Sequence, residues 1–307
     1  MKLKKNKINS NMNASRWIFF AATCGIVLAL YIFFCVVPIL QSVRMSFYEW
    51  TGYKIEIPKP VGLENYKEVL GSPAFWNAFK NDLVMTLIKE VLICFLTVLF
   101  AVTLTRFKMR EGEVIFYKFV FYLPNVLSTV VIGSLWGFVF SGTDIGLLNS
   151  FLSLFKEGTK IQWLTNYPMQ TIGFVASWCG VGLFMLTMIA AIHQIPAELY
   201  EAARIDGAGE MRQLFAITMP AVWLQVTFMI VSILYQSLGG NFALVNVFLT
   251  DVDPESNGIV MGLFVYKYGT NWGRVGFSYA ASIVMLAITA TISLGVKYLM
   301  DKAGENL

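Results

Sequence analysis

The run Val91-Leu-Ile-Cys-Phe-Leu-Thr-Val-Leu-Phe-Ala-Val-Thr-Leu104 decides the fold class. Its fourteen residues carry no charge. The apolar stretch around it extends from about Leu83 to Thr105, which meets the roughly 20 residues needed to cross a bilayer as a helix. Five further stretches read the same way: Trp17–Val37, expected to end at Pro38; Phe119–Phe140, with Pro124 near its start; Met169–Ile192; Ala221–Leu238; and Ser278–Val296. Composition agrees. Of 307 residues, 57% are apolar and 14% charged, against about 45–50% and about 25% for a soluble domain. Mean hydropathy is +0.63. Disorder needs the opposite balance, and four cysteines are too few for a disulfide scaffold. The expected fold class is therefore all-α: a polytopic membrane protein with six transmembrane helices.

The first run exceeds the 7–15 residue core of a secretory signal, and no A-x-A cleavage pattern follows it, so it is expected to stay as an uncleaved span. The Lys/Arg balance then orients the chain. With the N-terminus inside, pieces 1–16, 106–118, 193–218 and 297–307 hold 13 Lys/Arg in 66 residues, while 41–82, 141–168 and 241–277 hold 9 in 107. Both termini are expected in the cytoplasm, and the clusters Lys2, Lys4, Lys5, Lys7 and Arg106, Lys108, Arg110 decide this. Beside a spanning helix, the tail 1–16 reads as a topology anchor, not as a nucleic-acid arm. The expected partner on that account is membrane lipid, and no nucleic acid. Lys89 and Glu90 fall inside the second stretch. Intramembrane charges are costly and often functional, but the reading here is a position near the outer interface, with Lys89 snorkelling.

Cys24, Cys35, Cys94 and Cys179 lie in apolar spans without a C-x-x-C partner and read as small buried hydrophobes. With a single histidine, no metal site or His-based catalysis is expected.

The segment His193–Pro220 carries the most information. Pro196 suits a first helical turn. Glu198 and Glu201 favour its N-terminal end. Leu199, Ala202, Ala203 and Ile205 make a narrow apolar side, and Gly207 ends the helix with a positive φ. A second short helix is expected from Glu210 to about Ile217, with Pro220 opening the fifth span. The result is a bent pair of helices against the inner membrane surface; a plain amphipathic connector is the competing reading. Polar residues also recur on helical faces: Ser232, Tyr235, Gln236 and Gly239 in the fifth stretch; Asn125, Ser128, Thr129 and Trp136 in the third; Trp178, Gly182 and Met185 in the fourth. Such stripes line a solute path or make helix–helix contacts.

The run Glu201-Ala-Ala-Arg-Ile-Asp-Gly207, followed by Phe215, Ile217 and Pro220, resembles the EAA loop of binding-protein-dependent ABC importers. Ile195-Pro-Ala-Glu-Leu-Tyr200 is similar to the form in the carbohydrate branch, the maltose-type permeases. Weaker likenesses follow in the right order: Pro38, Ser46-Phe47 and Trp50; Gly62-Leu-Glu-Asn-Tyr66; and Gly146-Leu-Leu-Asn149. The chain departs with Asn81-Asp82, where the family often has Asn-Thr, and with Thr250-Asp-Val-Asp-Pro-Glu-Ser-Asn-Gly258, where it often has Thr-x-Gly-Gly-Pro.

The resemblance implies a type I ABC importer permease fold: a basic tail at 1–16, a six-span permease domain at 17–300 with a coupling loop at 193–220, and a cytoplasmic tail at 301–307. It implies that Glu201, Ala202, Ala203, Asp206 and Gly207 form a coupling helix. Glu201 would pair with a basic or amide partner, the alanines would permit tight packing, Gly207 would permit the bend, and Asp206 would cap the next turn. From the stripes, Ser232, Tyr235, Gln236, Asn125, Trp136 and Trp178 are expected to border the solute path, supplying hydroxyl-matching groups and aromatic platforms for a sugar, with helix–helix contact as the competing reading; the resemblance also places a solute site around the fifth span. The chain has no G-x-x-x-x-G-K-[ST] loop, so it is expected to be non-catalytic, with no cofactor of its own and with ATP and Mg held by two separate cytoplasmic ATP-binding subunits. A second homologous permease subunit, as a heterodimer, and an extracellular solute-binding protein complete the implied assembly in a bacterial cell membrane. The trailing alternatives are import of a polyol or sugar phosphate, or a six-span channel or membrane enzyme. External Trp50, Trp76, Trp163 and Trp272 read as interface anchors or as contacts for the binding protein.

Overall fold

The structure, a computed structural model, describes residues 14–305 apart from 54, 108, 144, 159 and 250–257. The expected basic cluster Lys2–Lys7, Lys108 and the external run Thr250–Asn257 lie outside the described residues. The chain opens with α1 (Ala14–Tyr31), passes through a π-turn at Ile32–Val36, and continues as α2 (Val37–Met45). Pro38 does not end this helix. Proline lacks an N–H and crowds the carbonyl four residues back. The π-turn widens the backbone just before it, with the Val37 N–H bonded to Ile32 O, so the helix carries on to Met45.

A small hairpin follows, with β1 (Tyr48–Glu49) antiparallel to β2 (Lys59–Pro60). Helix α3 (Glu64–Gly71) locks it: Asn65 Nδ2 donates to Ser46 O at 2.9 Å and to Tyr48 O at 3.0 Å. The long helix α4 (Pro73–Arg106) starts ten residues before the apolar stretch, because Pro73 suits its first turn and Ser72 Oγ accepts the Phe75 N–H at 3.3 Å.

The expected third span is broken. It comprises α5 (Glu111–Val126) and α6 (Thr129–Val139), bent by 100°. Leu127 and Ser128 are extended, and Ser128 Oγ caps α6 by accepting from the Val131 N–H at 3.4 Å. Helices α7 (Leu147–Ser153) and α8 (Trp163–Asn166) form the connection that follows. Asn149 organises it, donating to Ser141 O and Ile161 O and accepting from Trp163 Nε1. Helix α9 (Pro168–Ile192) matches its expected span and pairs with α4 at the centre of the bundle.

Next come α10 (Ala197–Ile205), α11 (Glu210–Gln213), a π-turn at Leu214–Thr218 and α12 (Met219–Ala221). A 72° bend at Val222 leads into α13 (Trp223–Ser237). The chain closes with α14 (Phe242–Phe248), α15 (Met261–Thr270) and α16 (Val275–Gly304). Among the described residues, four helices are long and apolar enough to cross a membrane, and six crossings result if each bent pair is one.

Apolar side chains pack at both ends of the bundle. Toward the 193–222 loop they include Ile93, Leu104, Met185, Ile192, Val222 and Met229. At the far end they include Phe75, Met85, Ile172, Phe264 and Ala280. Cys94 and Cys179 are half-buried, but Cys24 and Cys35 are exposed on the first helix, whose apolar window buries nothing within the chain. The expectation of four buried cysteines fails there because that helix lies outside the bundle.

Candidate functional site

The loop after α9 forms the bend expected of it. Helix α10 buries none of its residues. It ends on Gly207 at φ +75°, with the Gly207 N–H bonded to Arg204 O at 3.0 Å and the Ala208 N–H to Ala203 O at 2.8 Å. These two bonds close a Schellman turn, which needs a residue without a Cβ at that position. Glu201, Ala202, Asp206 and Gly207 are exposed and Ala203 is half-buried, so the run forms an exposed ridge of mostly small residues. Asp206 closes α10 and does not open the next helix; Gly209 holds the N-cap position of α11.

Beneath this ridge lies a second arrangement, built on Arg106. Arg106, the last residue of α4, inserts its guanidinium among the loop residues. Its Cζ lies 3.8 Å from the centroid of the Tyr200 ring, and Nη2 reaches Glu210 Oε2 at 2.9 Å and also Gln213. The Tyr200 and Thr218 hydroxyls pair at 3.0 Å, and Gln213 Nε2 donates to Ala208 O at 2.6 Å. Arg106 thus touches both short helices. By sequence it reads only as a topology charge.

The candidate solute-facing residues fall into separate groups. On α13, Tyr235 and Gln236 are exposed and Ser232 is half-buried, all turned away from the chain's own core. Trp136 of α6 meets Trp178 of α9 edge-on at 5.4 Å and stacks on Phe140 at 5.2 Å. Asn125 Nδ2 donates to Cys179 O at 3.4 Å, next to Trp178. The structure therefore joins Asn125, Trp136 and Trp178 in one patch and leaves Ser232, Tyr235 and Gln236 on another helix. Gly182 and Met185 are packing positions. Met185 is fully buried, and Gly182 faces the backbone of Phe121 and Tyr122 on α5. Ser128 caps α6.

Lys89 does not snorkel to an interface. It sits midway along α4 and donates from Nζ to Asn241 Oδ1 at 3.1 Å. The reason lies in α13. Its fifteen residues span about 22 Å, short of the roughly 30 Å hydrocarbon layer. Irregular backbone at membrane depth persists only where its polar groups find protein partners. Asn241 Nδ2 donates to Ser237 O at 2.8 Å, and Thr289 Oγ1 donates to Leu238 O at 3.3 Å. Asp82, fully buried about two turns before Lys89 on α4, accepts the Met261 N–H that opens α15 at 2.8 Å. The departure at Asn81-Asp82 thus does structural work: Asn81 Nδ2 also holds Ile259 O, at 2.8 Å. Glu90 is half-buried and within 3.8 Å of Cys94 Sγ.

At the far end, a cleft of about 520 Å³ is lined by Asn81, Thr165, Asn166, Gln170 and apolar neighbours, with no charged residue among the described lining. Of the external tryptophans, Trp76 and Trp272 are about half exposed, Trp163 is held by Asn149, and Trp50 Nε1 donates to Tyr53 O at 3.2 Å. Glu68 receives Arg274 bidentately at 2.7 and 2.5 Å, which holds the guanidinium above its usual pKa. Among the described residues, no cluster of His, Cys, Asp and Glu fit for a metal occurs.

A family model described as the binding-protein-dependent transport system inner membrane component matches residues 83–303. The chain belongs to this family. It is 32% identical over 270 residues to the probable ABC transporter permease protein YurN of Bacillus subtilis, covering 86% of this chain and 90% of that protein. It is 26% identical over 284 residues to the diacetylchitobiose uptake system permease protein NgcF of Streptomyces coelicolor, covering 89% and 80%. A chain in the crystal structure of a bacterial ABC transporter involved in the import of the acidic polysaccharide alginate superposes with a TM-score of 0.79 at 21% identity, over 94% of this chain and 96% of that one. This permease family member is therefore membrane-embedded, with the type I importer fold.

Proposed function

We propose that the protein is the permease subunit of an ATP-driven importer for a sugar or oligosaccharide and forms half of the translocation path. The exposed, Gly207-bent ridge at Glu201–Gly207 carries this reading. Small residues there admit close packing, and Glu201 offers a charge to a basic or amide partner. Each ridge docks on one of two cytoplasmic ATP-binding subunits, which hold ATP and Mg; closure of those subunits swings the bundle between inward- and outward-facing forms. A second, related permease subunit faces the exposed stripe Ser232, Tyr235 and Gln236, and the Asn125–Trp136–Trp178 patch supplies aromatic and amide surface along the path. An extracellular solute-binding protein delivers the solute to the far end. Both termini lie in the cytoplasm of a bacterial cell. The cleft at the far end carries no charge among its described lining residues, which favours a neutral solute, and the sugar systems named among the relatives support the class.

The test is reconstitution of the complete assembly in proteoliposomes with a panel of neutral oligosaccharides, alginate oligosaccharides, polyols and sugar phosphates. The expected result is ATP-dependent accumulation of a neutral oligosaccharide. Accumulation of a polyol or sugar phosphate alone replaces the solute class, and uptake without the ATP-binding subunits refutes the reading.

A further inference from the structure

Besides the Asn81 and Asp82 bonds to the segment that opens α15, helix α4 is gripped at two separated points. At its last residue, Arg106 is 9% exposed and bonds Glu210 and Gln213 while lying on Tyr200, so it engages both arms of the bent loop. Seventeen residues earlier on the same helix, Lys89 holds Asn241 at the turn where α13 stops. Between these points α4 is unbroken, a rod of about 25 Å. The loop's covalent route to α13, by contrast, runs through a π-turn at Leu214–Thr218 and a 72° bend at Val222. Such breaks absorb displacement, whereas a continuous packed helix with fixed joints passes it on.

We infer that Arg106 is a positioning residue that ties the loop to α4, and that α4, through Lys89, carries loop displacement to the turn after α13. The inference rests on the importer reading and names its transmission path. An arginine suits the joint: its Nη2 reaches Glu210 and Gln213 while the guanidinium plane lies on Tyr200, and losing it leaves the buried Gln213 carbonyl without that donor. Lys89 suits the other joint because a buried ammonium must keep its acceptor. The two joints make the loop, α4 and the α13 turn one moving body, in which the EAA ridge is the handle.

The test uses the full importer in nanodiscs. Cys24, Cys35, Cys94 and Cys179 are replaced by alanine, and nitroxides are placed at Arg212→Cys on α11 and at the exposed Ala243→Cys on α14, two residues past Asn241. Double electron–electron resonance reads the pair distance without nucleotide and after trapping with ATP and vanadate. In the otherwise native chain, the distance is expected to stay the same in both states. Arg106→Ala and Lys89→Met are each expected to shift or broaden it on trapping, with trapping itself retained. Arg106→Lys keeps the charge but loses the planar guanidinium that lies on Tyr200 while bonding Glu210 and Gln213; it gives the same shift and serves if the alanine variant fails to assemble. A pair distance that changes on trapping in the native background, or that stays fixed in either the Arg106 or the Lys89 variant, overturns the inference. A native complex that traps no nucleotide refutes the importer reading instead.

Discussion

Gly182→Ala distinguishes packing from solute contact at the fourth span. The added Cβ would collide with Phe121 O and lie 2.6 Å from Tyr122 Cα. Both are backbone atoms of a helix, so no side chain can rotate away and α5 itself must shift. Overpacking of this kind costs about 1–3 kcal/mol. Because only backbone can yield, the cost lies in the upper part of that range, about 2–3 kcal/mol; alanine recovers about 1 kcal/mol in helix propensity, leaving a net loss of about 1–2 kcal/mol. A chain of this size loses roughly 2–4 °C in Tm per kcal/mol. The expected fall is therefore about 2–8 °C, read by size-exclusion thermostability in detergent, with the KM for solute unchanged at low temperature. Gly137→Ala is the control. Nothing lies within 4 Å of its Cβ position in α6, so the same substitution should leave Tm unchanged or raise it. A Gly182→Ala protein that melts at or above the native one, or that binds solute less well without melting earlier, refutes the packing argument.

Further outcomes follow from the loop and the stripe. Glu201→Lys should abolish solute accumulation while insertion and expression persist, and accumulation at the native rate would remove the coupling role. Gly207→Pro should do the same, since it removes the N–H bonded to Arg204 O and cannot adopt φ +75°. Gln236→Leu should lower uptake with the ATP-binding subunits still attached; unchanged uptake kinetics would return the stripe to helix packing. Asn149→Ala deletes four hydrogen bonds made by a buried amide and should cost about 2–3 kcal/mol locally. Faster tryptic cleavage at Lys156 and Lys160 would report it, and an unchanged rate would show that the connection is held by other contacts.

Apolar length was the most legible property. The stretch Met169–Ile192 became a helix with one residue added, and Gly207 bends the loop where its sequence says it must. The breaks were harder to read, because average hydropathy is blind to backbone dihedrals. Leu127-Ser128-Thr129 is apolar enough to continue a helix, and only Ser128, a good N-cap three residues before Val131, marks the new start. Pro38 misled in the opposite direction, since a π-turn lets the helix pass it. Lys89 shows the limit of reading charges one at a time. Its acceptor, Asn241, lies 152 residues away on a segment whose short helix cannot be recognised from a continuous apolar run. Arg106 was visible as a charge, but its joint with Tyr200, Glu210 and Gln213 depends on three positions brought together by the bend itself.

That separation along the chain has a consequence for biogenesis. Ribosomes add about 5–20 residues per second, so an ammonium entering the bilayer with the second crossing waits about 8–30 s before the 152 residues that end in its amide partner are made. During that interval the ammonium has only groups of its own helix, Glu90 and Asp82 among them, to face. The insertion machinery, or a phosphate of the surrounding lipid, must hold that crossing until the fifth one arrives.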